Sequence, residues 1–192
     1  KIKATYGTGS SIMMNIGEKP ILSTHGVVTS LAWKIGGHVN YVLEGNLNYT
    51  GAVITWLKDD LELISSAAET EALANKAVKE DGLYLVPAFS GLGAPYWDSD
   101  ARAAIVGMSR TTRKAELVRA ALECIAYQIT DVVKAMSEDS KICIGQLCVD
   151  GGPTRNAYLM QFQSDLLTAD VMVPNAEELS AIGPAYAAGL RL

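Results

Sequence analysis

Strand-like and helix-like patterns follow one another along this chain in an order that few folds share. Alternating β-formers come first, and a Gly-Thr-Gly-Ser-Ser turn divides residues 2–16 into two strands. Two further strands are predicted at residues 27–33 and 38–43, with Gly36-Gly37 between them as the turn of a hairpin. The N-terminal part of the chain is therefore expected to form an antiparallel sheet.

Helical periodicity begins after this sheet. Apolar residues recur at helical spacing in residues 48–64 and again, over a shorter stretch, in residues 69–78. A strand is predicted at residues 83–86. Residues 88–100 are expected to form a structured loop, because their glycines and prolines break both the helical and the strand period.

The longest helix is predicted at residues 114–136, where one face is apolar over about six turns. The chain then alternates between strand and helix, at residues 146–149, 156–167, 171–173 and 179–190. A sheet followed by this αβαβα order predicts an α/β fold in which a mixed sheet is flanked by helices. That layout is the one found in a lobe of the ribonuclease H-like, or actin-like ATPase, fold.

Length and charge narrow the functional classes. The chain has 192 residues, of which 49% are hydrophobic and 19% charged, as expected for one compact domain. Its net charge of −5 is spread without a basic cluster, which argues against a nucleic-acid partner. No apolar run approaches the roughly 20 residues that a membrane span needs, and the first residues lack a signal peptide. We therefore expect a cytoplasmic protein that binds a small molecule or another protein.

The three cysteines, Cys124, Cys143 and Cys148, have no paired CxxC spacing. A zinc site or a disulfide framework is therefore not expected. We predict that all three are buried thiols.

Glycine-centred turns are the strongest candidates for a binding site. Gly7-Thr8-Gly9 follows the first strand, and such a turn lets backbone amides and the Thr8 hydroxyl approach a phosphate closely. An ordinary hairpin turn would have the same sequence. Gly51 sits at or inside a predicted helix, where glycine costs about 1 kcal/mol relative to alanine. Either a ligand close to the backbone or close packing of the helix would explain why a glycine stands at this position.

A second kind of turn is the pair Gly151-Gly152, which lies between a predicted strand and a predicted helix. Two adjacent glycines offer a surface without side chains on which an adenine or ribose could lie. Asn156, at the start of the helix, could offer a donor and an acceptor to a base edge. Asp150 is either part of such a site or a residue that stabilises the first turn of the helix.

Several blocks of sequence resemble the FGGY family of carbohydrate kinases, and in particular its glycerol kinase branch. The blocks are NYVLEG at residues 40–45, PAFSGLGAPYWD at 87–98, LMQFQSD at 159–165, and a stretch at 103–123 that is similar to the second FGGY signature. The resemblance extends over nearly the whole chain, residues 1–192, and corresponds to the family's C-terminal, nucleotide-binding domain. It implies that the family's N-terminal substrate domain is absent from this chain.

Carried over by position, the resemblance implies that Thr8, between Gly7 and Gly9, contacts the terminal phosphates of ATP or ADP. It further implies that Gly51 lies along the nucleotide, and that Gly152 and Asn156 lie at the adenosine. Two positions depart from the glycerol kinase pattern. Thr55 stands where those kinases carry a glutamine that contacts the nucleotide, and Ser11 stands where they carry a phenylalanine that packs against glycerol. A wider, wetter substrate pocket would follow from the second departure.

The activity implied is ATP-dependent, in-line phosphoryl transfer to a hydroxyl of glycerol or a related polyol or sugar, with Mg²⁺ bound to the nucleotide phosphates. The catalytic base, the metal ligands and most of the polyol contacts are expected upstream, so no catalytic or metal residue is assigned here. The chain by itself is expected to be inactive, and the full-length enzyme to be a homo-oligomer. Two alternatives are a non-catalytic nucleotide-binding module and a kinase of a pentulose such as xylulose.

Overall fold

The computed structural model describes residues 1–78, 82–174 and 179–189. Its strands are β1 (Ile2–Tyr6), β2 (Ser10–Gly17), β3 (Val28–Ile35), β4 (His38–Leu47), β5 (Tyr84–Val86), β6 (Ala104–Val106), β7 (Gln146–Asp150) and β8 (Asp170–Met172). Its α-helices are α1 (Gly51–Thr55), α2 (Glu69–Lys76), α3 (Lys114–Ser140), α4 (Ala157–Leu167) and α5 (Leu179–Gly189). A π-helical turn, Trp56–Asp60, follows α1, and a 3-10 turn, Gly152–Arg155, precedes α4.

Six strands form one mixed sheet in the order β3-β4-β2-β1-β7-β8. The pairs β1–β2, β2–β4 and β3–β4 are antiparallel, whereas β1–β7 and β7–β8 are parallel. Strands β1, β4, β7 and β8 therefore all run in the same direction. The carboxyl ends of β1, β4 and β7 consequently lie at one edge of the sheet, which is where ligands bind in many α/β proteins.

Helix α3 provides much of the core on one face of the sheet. Alternate residues of β2, including Ile12 and Met14, are buried together with the α3 residues Ile125 and Ile129. Gly45 in β4 lets the helix approach closely, because a Cβ atom there would lie 2.5 Å from Cγ1 of Val132. A buried network joins the same elements: the Tyr6 hydroxyl donates to Gln163 of α4, whose side-chain amide donates to Thr130 of α3.

Most of the predicted elements are confirmed, but two expectations are wrong and one strand was missed. The helix expected at residues 48–64 has only one α-helical turn and then continues as a π-helical turn. There Leu61 N donates a hydrogen bond to Trp56 O, five residues back. Strand β6 was not predicted, since it has only three residues and all are exposed. Of the cysteines, only Cys124 is buried, while Cys143 is exposed and Cys148 is partly exposed. The last helix is described over Leu179–Gly189, and residue 190 of its expected range lies outside the described residues.

Two loops are fastened to the C-terminal half of α3. The almost fully buried carboxylate of Asp139 accepts hydrogen bonds from the Ser23 hydroxyl, from the backbone and hydroxyl of Thr24, and from His25 Nδ1 at 2.7 Å. The next residue, Gly26, accepts a bond from Trp97 Nε1 in the loop before β6. The loop before β3 and the loop before β6 are thus held together against the helix.

This arrangement lowers the pKa of Asp139. Burial alone would raise the pKa, but the hydrogen bonds from Ser23, His25 and Thr24 together outweigh burial and bring it to about 2. None of the described helices combines the length and the hydrophobicity needed to cross a membrane.

We predict that Asp139→Asn lowers the free energy of unfolding by about 1–3 kcal/mol at neutral pH, because several bonds to a buried charge are weakened. A carboxyl whose pKa is lower in the folded protein stabilises it above the unfolded pKa of about 4 and loses this effect as the pH falls towards 2. Urea denaturation at several pH values should therefore show the variant and the wild type converging between about pH 4 and pH 2. Glu138→Gln, at the exposed neighbouring position, should change stability by less than about 1 kcal/mol.

Candidate functional site

The glycine turns singled out in the sequence all lie at the same edge of the sheet. The first follows β1, the second follows β4 and the third follows β7. The strand register places them side by side, because Thr5 pairs with Asp150 and Ser10 pairs with Leu47. The parallel direction of β1, β4 and β7 thus brings together three segments that are far apart in sequence.

Backbone hydrogen bonds join the first turn to the second. Gly51 N donates to Gly7 O at 2.9 Å, and Thr50 N donates to Thr8 O at 3.1 Å. The Thr50 hydroxyl adds a bond of 3.0 Å to Gly7 O. The Thr8 side chain remains exposed, and its hydroxyl has no hydrogen-bond partner within the described part of the chain. It is therefore available to a ligand at this edge.

Packing explains the glycine at position 51. A Cβ atom there would lie 2.5 Å from the carbonyl oxygen of Gly7, much closer than non-bonded atoms approach. Gly9 is constrained in the same way, since its Cβ would lie 2.3 Å from Leu47 O. The structure thus gives Gly51 a packing role, between two turns rather than between the helices considered from the sequence.

The adjacent glycines of the third turn have different environments. Gly151 has a φ of +102°, and a Cβ atom there would lie 1.9 Å from Tyr6 O, so this residue lets β7 turn beside the end of β1. Gly152 is exposed, and a Cβ atom there would have no atom of residues 1–78, 82–174 or 179–189 within 4 Å. The space next to Gly152 is therefore open, as a flat ligand against the backbone would require.

A cavity of about 560 Å³ opens next to Gly152. Four of the predicted site residues line it: Gly51, Thr55, Gly152 and Asn156. Its apolar walls come from α1, the segment before α2, α3 and α4, with contributions from Ile54, Ala67, Leu122, Ile125 and Leu159. Its size is that of an ordinary small-molecule site. Gly7, Thr8, Gly9 and Ser11 do not line it, although Gly51 connects the cavity to the first turn.

Asn156 has a structural role that the sequence indicated only in part. Its Oδ1 accepts a bond from Leu159 N at 2.9 Å, which makes it the N-cap of α4. Its Nδ2 donates to the Thr70 hydroxyl at 3.0 Å. The side chain therefore has one amide hydrogen and one lone pair of Oδ1 left for a ligand, and its orientation is fixed by the two bonds within the protein.

Two residues of α2 were missed. Thr70 is buried and bonded to Asn156, and Glu71 accepts a bond at 2.9 Å from Ala157 N, the first residue of α4. Both line the cavity. No local pattern marked them, because their importance comes from the position of α4, which is distant in sequence. A third hydrogen bond holds the start of α4 in place: the Tyr158 hydroxyl donates to Glu123 of α3 at 2.6 Å.

The acidic side chains of Asp98 and Asp150 have structural partners in the protein. Asp98 Oδ1 accepts bonds from the backbone amides of Asp100 and Ala101, as in a tight turn. Asp150 is buried and forms an ion pair of 2.9 Å with Lys3. Within the described ranges, no three His, Cys, Asp or Glu side chains come together as metal ligands.

Ser11 lies on β2, between Thr5 on β1 and Asn46 on β4. Strand alternation places it on the face opposite Ile12, and hence away from the core under α3. Its hydroxyl oxygen is shielded from solvent and has no hydrogen-bond partner among the described residues. By this geometry Ser11 does not line the cavity next to Gly152.

Residues 2–192 match the family model described as "FGGY family of carbohydrate kinases, C-terminal domain". The chain belongs to the FGGY family. Glycerol kinases of Burkholderia multivorans and Burkholderia pseudomallei are each 53% identical to it over 191 residues. The FGGY chain is covered completely in these alignments, but it spans only 38% of the length of either relative.

Solved structures of FGGY kinases have the same fold. Plasmodium falciparum glycerol kinase with ADP is 38% identical, with a TM-score of 0.88 over 95% of this chain and 36% of its own. Xylulose kinase from Lactobacillus acidophilus, at 20% identity, supports the fold alone, with a TM-score of 0.79 over 92% of this chain and 35% of its own. The predicted family and the actin-like ATPase fold are therefore confirmed.

The contrast between the two glycines of the third turn is testable. Gly151→Ala should destabilise the protein by about 3 kcal/mol or more. The backbone at this position has a conformation that favours glycine, and the added methyl group would overlap the Tyr6 carbonyl. Gly152→Ala should change the free energy of unfolding by less than about 0.5 kcal/mol, because its side chain enters open space. Urea denaturation of both variants measures the difference, and equal destabilisation would contradict this account of the turn.

Proposed function

We propose that this chain is the nucleotide-binding half of an ATP-dependent kinase that phosphorylates glycerol or a related polyol. The main support is the convergence of three glycine turns on one sheet edge, beside a cavity with open space at Gly152. Phosphate would lie at the turn after β1, where backbone amides and the Thr8 hydroxyl can donate. The adenosine would lie in the cavity, against the exposed backbone of Gly152.

The glycerol kinase from Plasmodium falciparum supports the choice of nucleotide, since that protein was solved with ADP. In this chain we assign Gly7, Thr8 and Gly9 to the phosphates, and Gly51, Thr55, Gly152 and Asn156 to the remainder of the nucleotide. Thr55 is shorter than a glutamine, and its hydroxyl donates to Gly51 O at 3.3 Å. We therefore expect Thr55 to contribute mainly to the shape of the cavity.

The residues that activate the acceptor hydroxyl are proposed to lie in a part of the protein other than this chain, as are the ligands of Mg²⁺. Phosphoryl transfer depends mainly on positioning and charge stabilisation, so a half that holds only the nucleotide should bind it without transferring phosphate. We also propose a cytoplasmic location, as expected from the sequence, and a homo-oligomeric full-length enzyme.

Glycerol is the favoured acceptor because the glycerol kinase relatives are much more similar in sequence than the xylulose kinase. A pentulose such as xylulose remains the second candidate on one observation: Ser11 replaces the phenylalanine expected to pack against glycerol. A serine removes an apolar wall and leaves room for a longer acceptor.

A kinase assay of the full-length protein against glycerol, erythritol, xylulose and ribulose tests this proposal. ADP formation should be highest with glycerol or erythritol, and it should require ATP. A preference for xylulose would support the second candidate. Nucleotide binding without phosphorylation of any acceptor would indicate a non-catalytic module and contradict the proposal.

Thr8→Ala and Gly152→Val should separate the phosphate and adenosine roles. Loss of the Thr8 hydroxyl should lower kcat more than it raises the KM for ATP, because its bond strengthens as charge develops on the transferring phosphate. One such bond corresponds to about 10- to 150-fold in rate. Gly152→Val should instead raise the KM for ATP and leave kcat closer to the wild type, because the side chain occupies the space of the adenosine.

Steady-state kinetics with ATP as the varied substrate distinguishes these effects. Gly152→Ala, with a smaller side chain at the same open position, serves as the graded control and should have an intermediate KM. If Thr8→Ala changed only KM, or Gly152→Val only kcat, the assignment of these turns would be wrong even for an active kinase.

A further inference from the structure

Most polar side chains that line the cavity already have partners in the protein. The Thr55 hydroxyl donates to Gly51 O, and the Thr70 hydroxyl donates to Ala67 O while accepting from Asn156. Asn156 Oδ1 is occupied by the N-cap bond of α4. Lys58 Nζ pairs with Asp59 at 2.8 Å. The acceptors that remain on Thr55, Thr70 and Asn156 are lone pairs of neutral oxygens, and Lys58 has no acceptor at all.

Glu71 differs from them because only one of its two carboxylate oxygens has a hydrogen-bond partner among the described residues. Its Oε2 accepts the bond from Ala157 N, which fixes the side chain at the start of α4. Its Oε1 has no hydrogen-bond partner within the described ranges, and the half-buried side chain lines the cavity. The carboxylate is thus held in place by one oxygen while the other remains able to accept.

We propose that Glu71 recognises the nucleoside, with its Oε1 accepting a hydrogen bond from a donor group of the nucleotide. This inference rests on the proposed function, because it assumes that the cavity holds the nucleoside of ATP. Two parts of adenosine can donate to a carboxylate: the ribose hydroxyls and the exocyclic amino group of adenine. Either contact would make Glu71 a residue that determines nucleotide specificity.

The charge of Glu71 also favours one orientation of the nucleotide. Phosphate groups are anionic and offer acceptors, so a carboxylate repels them at short range. Glu71 belongs to α2, and its side chain is held at the start of α4, so a triphosphate beside this carboxylate is disfavoured. Lys58 and Arg155 also line the cavity, and their positive charges offset part of this repulsion. The turn after β1, where backbone amides and the Thr8 hydroxyl are donors, is the alternative position for the phosphates. Glu71 would therefore recognise the nucleoside and disfavour the reversed binding mode.

Glu71→Gln is the most informative variant. A glutamine can still accept from Ala157 N through its Oε1, so the anchor on α4 is kept, while an amide donor replaces the free acceptor. The matched control is Glu69→Gln. Glu69 lies in the same turn of α2 and accepts a bond from Ser65 N, but it does not line the cavity.

The experiment compares kcat/KM of the full-length protein for ATP, 2′-deoxy-ATP, 3′-deoxy-ATP and ITP, which remove one candidate donor at a time. We expect the wild type to prefer ATP about 10-fold over the analogue that lacks the contacted group, as expected for one bond to a charged acceptor. Glu71→Gln should reduce that preference to about 2-fold or less, by lowering activity with ATP. Glu69→Gln should keep the wild-type preference.

Which analogue responds identifies the donor: a deoxy analogue indicates the ribose, and ITP indicates the adenine amino group. The inference is overturned if Glu71→Gln lowers activity with all four nucleotides by the same factor. It is equally overturned if the wild type uses all four alike, and that comparison does not depend on the variant being folded. If the protein used no nucleoside triphosphate at all, the proposed function would fail first, and this inference with it.

Discussion

Contact between backbones at the carboxyl end of β1 is the constraint on which the candidate site depends. The carbonyl of Gly7 accepts a bond from Gly51 N, and the carbonyl of Tyr6 lies against Gly151. At positions 51 and 151 a Cβ atom would overlap a carbonyl oxygen, so a side chain at either would push two turns apart. Glycine at these two positions is thus required for the turns to pack together, whether or not a ligand is bound.

Gly152 is different from the other glycines at this edge, because no atom of the described residues occupies the space beside it. The two neighbouring glycines of the third turn therefore have separate functions. Gly151 lets two strands end side by side, and Gly152 leaves a bare surface at the mouth of the cavity. A sequence motif of two glycines does not distinguish these roles, whereas the atoms around each residue do.

The start of α4 is held by other helices, and this support extends the site beyond the glycine turns. Thr70 and Glu71 bind it from α2, and Glu123 binds Tyr158 from α3. The Tyr158 pKa is raised, first by burial and then by its bond to Glu123, so the hydroxyl keeps its proton and remains a donor. Helix α3 thus supports the sheet, the start of α4 and, through Asp139, the loop before β3.

The sequence alone determined the order and type of most elements, since strand and helix periods depend on local spacing of apolar residues. It also indicated the glycine turns and the family, because both are recognised from short motifs of consecutive residues. Tertiary structure decided what the sequence left open: that Gly51 serves packing, that Asn156 is largely occupied as an N-cap, and that Glu71 faces the cavity. It also shortened the helix expected at residues 48–64 to one α-helical turn. These features depend on atoms from segments distant along the chain, and local patterns carry no information about which distant segments will meet.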